Sequence, residues 1–102
     1  MLVELTILPM GHNKDLSKTL APALQVIHDA GLTYEVTAMG TVFEGNPEIC
    51  WDVLRKAHEA VSTTEARTIT DIRIDDGGPH SLHVAAGQLA QKAGLPVQST
   101  HA

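Results

Sequence analysis

Residues able to do chemistry are few in this chain and fall into small groups. His80-Ser81-Leu82-His83 follows Asp75 and Asp76 across a Gly-Gly-Pro turn, and imidazoles beside carboxylates are donors that zinc or nickel accepts. Two histidines three apart are a weak motif, and a solvated tail is the better account of them, so no metal site is expected. His58 and Glu59 are adjacent and could form an acid–base pair, but neighbouring helical residues point about 100° apart and do not meet on one atom. Cys50 stands on the apolar side of a segment with helical periodicity, where a thiol behaves as a small hydrophobe. No serine, cysteine or threonine sits in a nucleophile elbow, and no glycine pattern makes a phosphate loop or dinucleotide fingerprint.

Two segments are richer. Pro9-Met10-Gly11-His12-Asn13 is a glycine-containing turn, and Glu35-Val-Thr-Ala-Met-Gly-Thr-Val-Phe-Glu-Gly45 holds hydroxyls, a thioether, a ring and two carboxylates within eleven residues. A tight hairpin with a polar sheet face explains the second segment without function. That account is the better one on composition alone; the functional alternative is a pocket in which carboxylates meet a cation and threonines orient a heteroaromatic ring.

The elements that position these groups follow from periodicity. Residues 2–8 alternate, with Val3, Leu5 and Ile7 on one face and Glu4 and Thr6 on the other, which is a half-buried strand. Leu16, Leu20, Ala23, Leu24 and Ile27 recur at helical spacing up to Gly31. Ser17 could cap this helix but leaves Pro22 in its second turn, at a cost of up to about 3 kcal/mol. A start at Thr19 avoids the conflict. The β-branched and aromatic run 33–44 reads as two strands meeting at Met39-Gly40, with the parity of Val42 against Phe43 open. Asn46-Pro47-Glu48 starts a second helix to about Ser62. Its buried stripe is Ile49, Cys50, Val53, Leu54, Ala57, Ala60 and Val61, with Trp51, Arg55 and His58 outside. Residues 67–75 form the last strand, with Thr70, Ile72 and Ile74 facing opposite to Ile69, Asp71 and Arg73.

The order β-α-β-β-α-β folds into a four-stranded antiparallel sheet with both helices on one face, an α+β, ferredoxin-like sandwich. Residues 1–76 form the domain core. Residues 77–102 form an extension packing on or beside it, with a short third helix over 81–93. The uncovered face, carrying Glu4, Thr6, Glu35, Thr37, Met39, Ile69, Asp71 and Arg73, or an edge strand, predicts self-association.

Composition narrows the partners. Twelve acidic against seven basic residues leave a net charge of −5, and aromatic residues are 3% of the chain. Phosphate backbones and anionic membranes are repelled, and base-stacking platforms are missing, so neither nucleic acid nor membrane is an expected partner. The chain has one cysteine, which makes a reducing cytoplasm the default location.

The run Gly31–Gly45 with Met39-Gly40-Thr41 and Glu44-Gly45, followed by Lys56-Ala-His-Glu-Ala60, resembles the thiamine-binding-protein family, the single-domain relatives of the YkoF-like proteins. The opening Val3–Gly11 and the late Asp71–Asp76 match its pattern too, so the resemblance covers about residues 1–76. Pro22, the Gly-Gly-Pro-His stretch after Asp76 and the alanine-rich 84–93 depart from it. The resemblance implies a ferredoxin-like fold, dimers or tetramers, and binding of thiamine or its hydroxymethylpyrimidine part without catalysis or cofactor. It places the pocket between the loop after the first strand and the end of the second. Thr37 and Thr41 then bond the ring, Glu35 or Glu44 meets the charge, Tyr34, Met39 and Phe43 supply apolar or aromatic wall, and Gly11, Asn13 and Ser17 form the loop edge. An alternative is a cofactor-free oxygenase or isomerase of the same fold. It needs an acid–base group on the open face, where none of the histidines falls. A third reading is a regulatory module whose ligand belongs to a partner.

Overall fold

The structure, a computed structural model, describes residues 1–11 and 15–77. Its elements are β1 (Leu2–Pro9), α1 (Leu16–Asp29), β2 (Thr33–Thr37), β3 (Gly40–Glu44), α2 (Pro47–Ser62) and β4 (Thr68–Asp75). The strands form one sheet in the order β2-β3-β1-β4, antiparallel at every pairing. Each helix joins strands that are not neighbours, which is the ferredoxin-like arrangement expected from the element order.

The registers settle which residues share a face. Phe43 lies opposite Val3 on one side and Tyr34 on the other, while Val42 lies opposite Glu4 and Glu35. Directly paired residues point the same way, so Phe43 faces the helices and Val42 the open side. Val3 and Phe43 are fully buried and pack with Leu5, Ile7, Ala23, Ile27, Cys50, Val53, Leu54, Ala57 and Val61 in one core. Because these β1 residues share one face, both helices cover that face. Burial raises the pKa of the Cys50 thiol, which therefore stays protonated and inert.

Local rules explain the helix ends, with three corrections. Asn46 Oδ1 accepts from the Glu48 amide at 2.9 Å, and Pro47 occupies the first helical position of α2, as the sequence predicts. In α1 the cap is neither Ser17 nor Thr19: Asp15 Oδ1 accepts from the Lys18 amide at 3.1 Å, and Pro22 is inside the helix. The earlier start brings Leu16 onto the same stripe as Leu20 and Ala23, one turn apart. Ile49, expected in the stripe of α2, is 45% exposed. His58, expected outside, is half-buried, and its Nδ1 pairs with Thr70 Oγ1 at 2.6 Å. Position 58 lies four residues after Leu54 and three before Val61, both buried, so helical geometry turns it toward the sheet.

No helix among the described residues is long and apolar enough to cross a membrane. The expected third helix and the His80/His83 pair lie outside the described residues.

Truncating Phe43 empties the centre of the core, and Phe43→Ala should lower unfolding free energy by about 3–5 kcal/mol in denaturant titration. Pro22→Ala restores an amide that can bond the Lys18 carbonyl. It should raise the thermal midpoint, by the equivalent of up to about 3 kcal/mol.

Candidate functional site

The β2–β3 hairpin turns through Ala38 and Met39, with Thr37 paired to Gly40. Two-residue hairpin loops ordinarily need positive φ within the loop, but no residue other than glycine has positive φ among those described. Gly40, at φ +150°, takes that role just after the loop. A Cβ on Gly40 would lie 2.7 Å from Thr6 Oγ1 and 2.8 Å from the Leu5 carbonyl oxygen. The glycine therefore lets the hairpin end seat directly on β1. Three side-chain bonds lock the seat. Thr6 Oγ1 donates to the Met39 carbonyl at 3.0 Å, Thr37 Oγ1 donates to the Gly40 carbonyl at 2.9 Å, and the Met39 amide donates to Thr37 Oγ1 at 3.2 Å.

The first turns of α1 span the gap between this hairpin and β1 without filling it. A cavity of about 170 Å³ remains, walled by Leu16, Leu20, Leu24 and Ile27 of α1, by Leu5–Leu8 of β1, and by Val36–Thr41 of the hairpin. Leu16, Met39 and Leu8 are the exposed large apolar residues of its lining. Among the described residues none in the lining is titratable, and its hydroxyls belong to Thr6, Thr37 and Thr41. Thr6 and Thr37 have committed their protons to backbone carbonyls. Thr41 Oγ1 makes no hydrogen bond among the described residues, so it can both donate and accept.

The site residues expected from sequence are divided between places. Thr37, Met39 and Thr41 line the cavity. Glu35 and Glu44 lie in register with Val42 and Thr33, on the open face of the sheet and away from the cavity. Phe43 has 0% exposure, so as a ligand wall it is corrected to a core residue. Its parity with Val3 puts it at the centre of the fold rather than at a surface. Tyr34 belongs to the helix side too, its hydroxyl 3.1 Å from His28 Nδ1 and the two rings edge to face, so it ties β2 to the last turn of α1. Ser17 is exposed in the first turn of α1, and neither it nor Gly11 lines the cavity. A Cβ on Gly11 would approach Glu65 Oε2 at 3.0 Å, and the neighbouring Met10 amide donates to the Arg67 carbonyl at 2.7 Å. The chain leaving β1 thus leans toward the α2–β4 connection. Asn13 lies outside the described residues.

Sequence reasoning missed the apolar wall from α1 and the part played by Thr6. The available signal was the width of the α1 stripe, whose Leu16, Leu20 and Leu24 exceed what a short hairpin can cover. The open face, for its part, is acidic: Glu4, Glu35, Glu44, Asp71 and Asp75 share it with Arg73. No group of three histidines, cysteines or carboxylates that could hold a metal occurs among the described residues.

Fold and cavity together define a ferredoxin-like domain with a small apolar pocket under one end of its sheet. The profile of the thiamine-binding protein family matches residues 3–85, and the chain belongs to that family. It is 30% identical over 76 residues to the UPF0045 protein MJ1052 of Methanocaldococcus jannaschii, an alignment spanning 74% of this chain and 76% of that protein. The crystal structure of MJ1052 superposes with a TM-score of 0.74 at 26% identity, over 91% of this chain and 94% of that one. A Thermotoga maritima protein, provisionally described as a thiamine biosynthesis/salvage protein, shares the fold with a TM-score of 0.71 at 21% identity, over 86% of this chain and 96% of that chain.

Gly40→Ala should break the hairpin seat, since the added methyl both meets Leu5 backbone and forces an unfavourable φ. The expected loss is at least about 1–2 kcal/mol, read as a lower denaturation midpoint. Thr6→Val should cost less, about 1 kcal/mol for one exchanged hydrogen bond.

Proposed function

We propose that this protein binds thiamine or its hydroxymethylpyrimidine part, without catalysis, in the cavity between α1 and the β2–β3 hairpin. The observation that carries this reading is an apolar cavity of about 170 Å³ with one uncommitted hydroxyl, Thr41. A cavity near 150 Å³ accommodates a single benzene-sized ring, whereas drug-sized ligands occupy about 300–1,000 Å³. The pyrimidine ring alone fits inside. Leu20, Leu24 and Val36 sandwich it, and Thr41 bonds a ring nitrogen or the amino group. Thiazolium, with its fixed positive charge, stays at the mouth beside Met39, whose thioether is polarisable. Glu35 and Glu44 contribute through the negative field of the chain, which carries a net charge of −5, and not by contact within the same copy.

Family membership supports the ligand class. The described lining, aliphatic side chains with threonine hydroxyls, is suited to holding a small ring in place. The same reading takes the protein to be cytoplasmic and self-associating, as a dimer or tetramer.

Isothermal titration of the full chain should show saturable heat with thiamine or hydroxymethylpyrimidine. Neither heat nor a thermal shift at millimolar ligand would sink the proposal. Thr41→Val keeps the shape and removes the hydroxyl, so it should weaken binding by about 1 kcal/mol or more. Leu24→Phe should fill the cavity and abolish binding while circular dichroism stays unchanged.

A further inference from the structure

The outer side of the helix layer carries two features that folding does not reward. Ile49 is 45% exposed, although it lies one turn before the buried Val53 on the same row of α2. Asp29 stands in the last turn of α1, where the negative end of the helix dipole disfavours a carboxylate. Its Oδ1 accepts from the Gln25 side-chain amide at 2.7 Å, a neutral donor that leaves the charge in place.

Both residues line one groove of about 570 Å³, where the end of α1 runs beside the first turns of α2. Its floor is apolar. Val26 and Ala30 form one row and Ile49 and Val53 the other, each pair four residues apart and so on one face of its helix. The rim is charged, with Asp29 from α1 and Glu48, Asp52 and Lys56 from α2. Lys56 and Asp52 neutralise each other across 2.7 Å. Asp29 and Glu48 make no ion pair among the described residues, so the net negative charge gathers where α1 ends and α2 begins. Past Ala30 and Ile49 the groove opens into a neighbouring depression walled also by Leu32. Among the described residues it shares no lining residue with the ligand cavity.

We propose that this groove docks a basic amphipathic helix of a partner protein. Two rows of side chains on adjacent helices accept the apolar ridge of a third helix, with anchors at i, i+3 or i+4 and i+7. The groove lies between helices, so an extended segment finds no strand edge to pair with there. Lysine or arginine flanking the anchors reaches Asp29 and Glu48. The positive N-terminal end of the docked helix seats at the same place, against the end of α1, so charge fixes its orientation. The proposal is independent of the ligand reading, because groove and cavity are separate.

The probe is a fluorescent helical peptide of about 14 residues, roughly four turns, with leucine at i, i+3, i+4 and i+7 and lysine on the remaining face. Anisotropy should show saturable binding to the full chain. The same peptide with glutamate for lysine, and one of equal composition with its leucines scrambled, should bind at least about tenfold more weakly. Ile49→Ser, Asp29→Lys and Glu48→Lys should each raise the dissociation constant by about tenfold. Asp71→Lys, the same charge change on the open face of the sheet, should leave it unchanged. Asp29→Lys also relieves the dipole conflict, so its thermal midpoint should hold or rise, which separates weaker binding from unfolding. Absence of saturable binding overturns the proposal. Equal binding of the scrambled peptide, or equal weakening by Asp71→Lys, overturns it too and reduces the attraction to net charge. No binding together with a midpoint lowered by Ile49→Ser overturns it in favour of a groove filled by residues 78–102. Each of these outcomes leaves thiamine binding to its own titration.

Discussion

The contact between Val3 and Phe43 across β1 and β3 governs the rest of the molecule. Both side chains are fully buried, and strand geometry leaves no freedom once they are: every second residue of both strands follows them toward the helices. A shift of one residue would drive Val42 into the core and send the ring to water. With Phe43 inside, Glu44 and Glu35 go to the open face, Tyr34 reaches α1, and Thr41 comes to lie beneath the sheet. The candidate site is therefore a consequence of core packing, because the same parity that buries one aromatic ring delivers one hydroxyl to the cavity.

That cavity exists because two demands on α1 pull apart. Ala23 and Ile27 anchor the middle and later part of the helix in the core, while Leu16 and Leu20 extend the same stripe toward a hairpin held elsewhere. The hairpin end is pinned to β1 by Gly40 and the Thr6 hydroxyl and does not follow the helix. Close packing is the norm in protein interiors, so unfilled space lined by leucines at the end of a sheet is suited to a small apolar guest. Threonine supplies directionality there without the desolvation penalty a carboxylate would bring.

Charge is arranged on the other side of the sheet. Glu4, Glu35, Glu44, Asp71 and Asp75 share one face with Arg73, which keeps that face hydrated and makes direct stacking of two such faces costly. On α2, by contrast, Arg55, Lys56, Asp52 and Glu59 satisfy one another within the helix. Such exposed pairs add little to stability.

The order of elements, the cap at Asn46, the core face of β1, the Cys50, Val53, Leu54, Ala57 and Val61 stripe of α2 and the two faces of β4 can all be read from the sequence, because period-two and 3.6-residue patterns are local and capping is chemistry between near neighbours. The start of α1 is not legible locally, because Pro22 argues for a later start until the Asp15 cap and the leucine stripe are placed in the folded chain. His58 looked external by spacing from Trp51, although its spacing from Leu54 and Val61 turns it inward. The sequence also assembled acidic, hydroxylic and aromatic residues of 34–44 into one candidate pocket. Only the tertiary structure could divide them, because the parity of β3 is a property of its pairing with β1, and an aromatic next to a β-branched residue satisfies either face until a partner strand chooses.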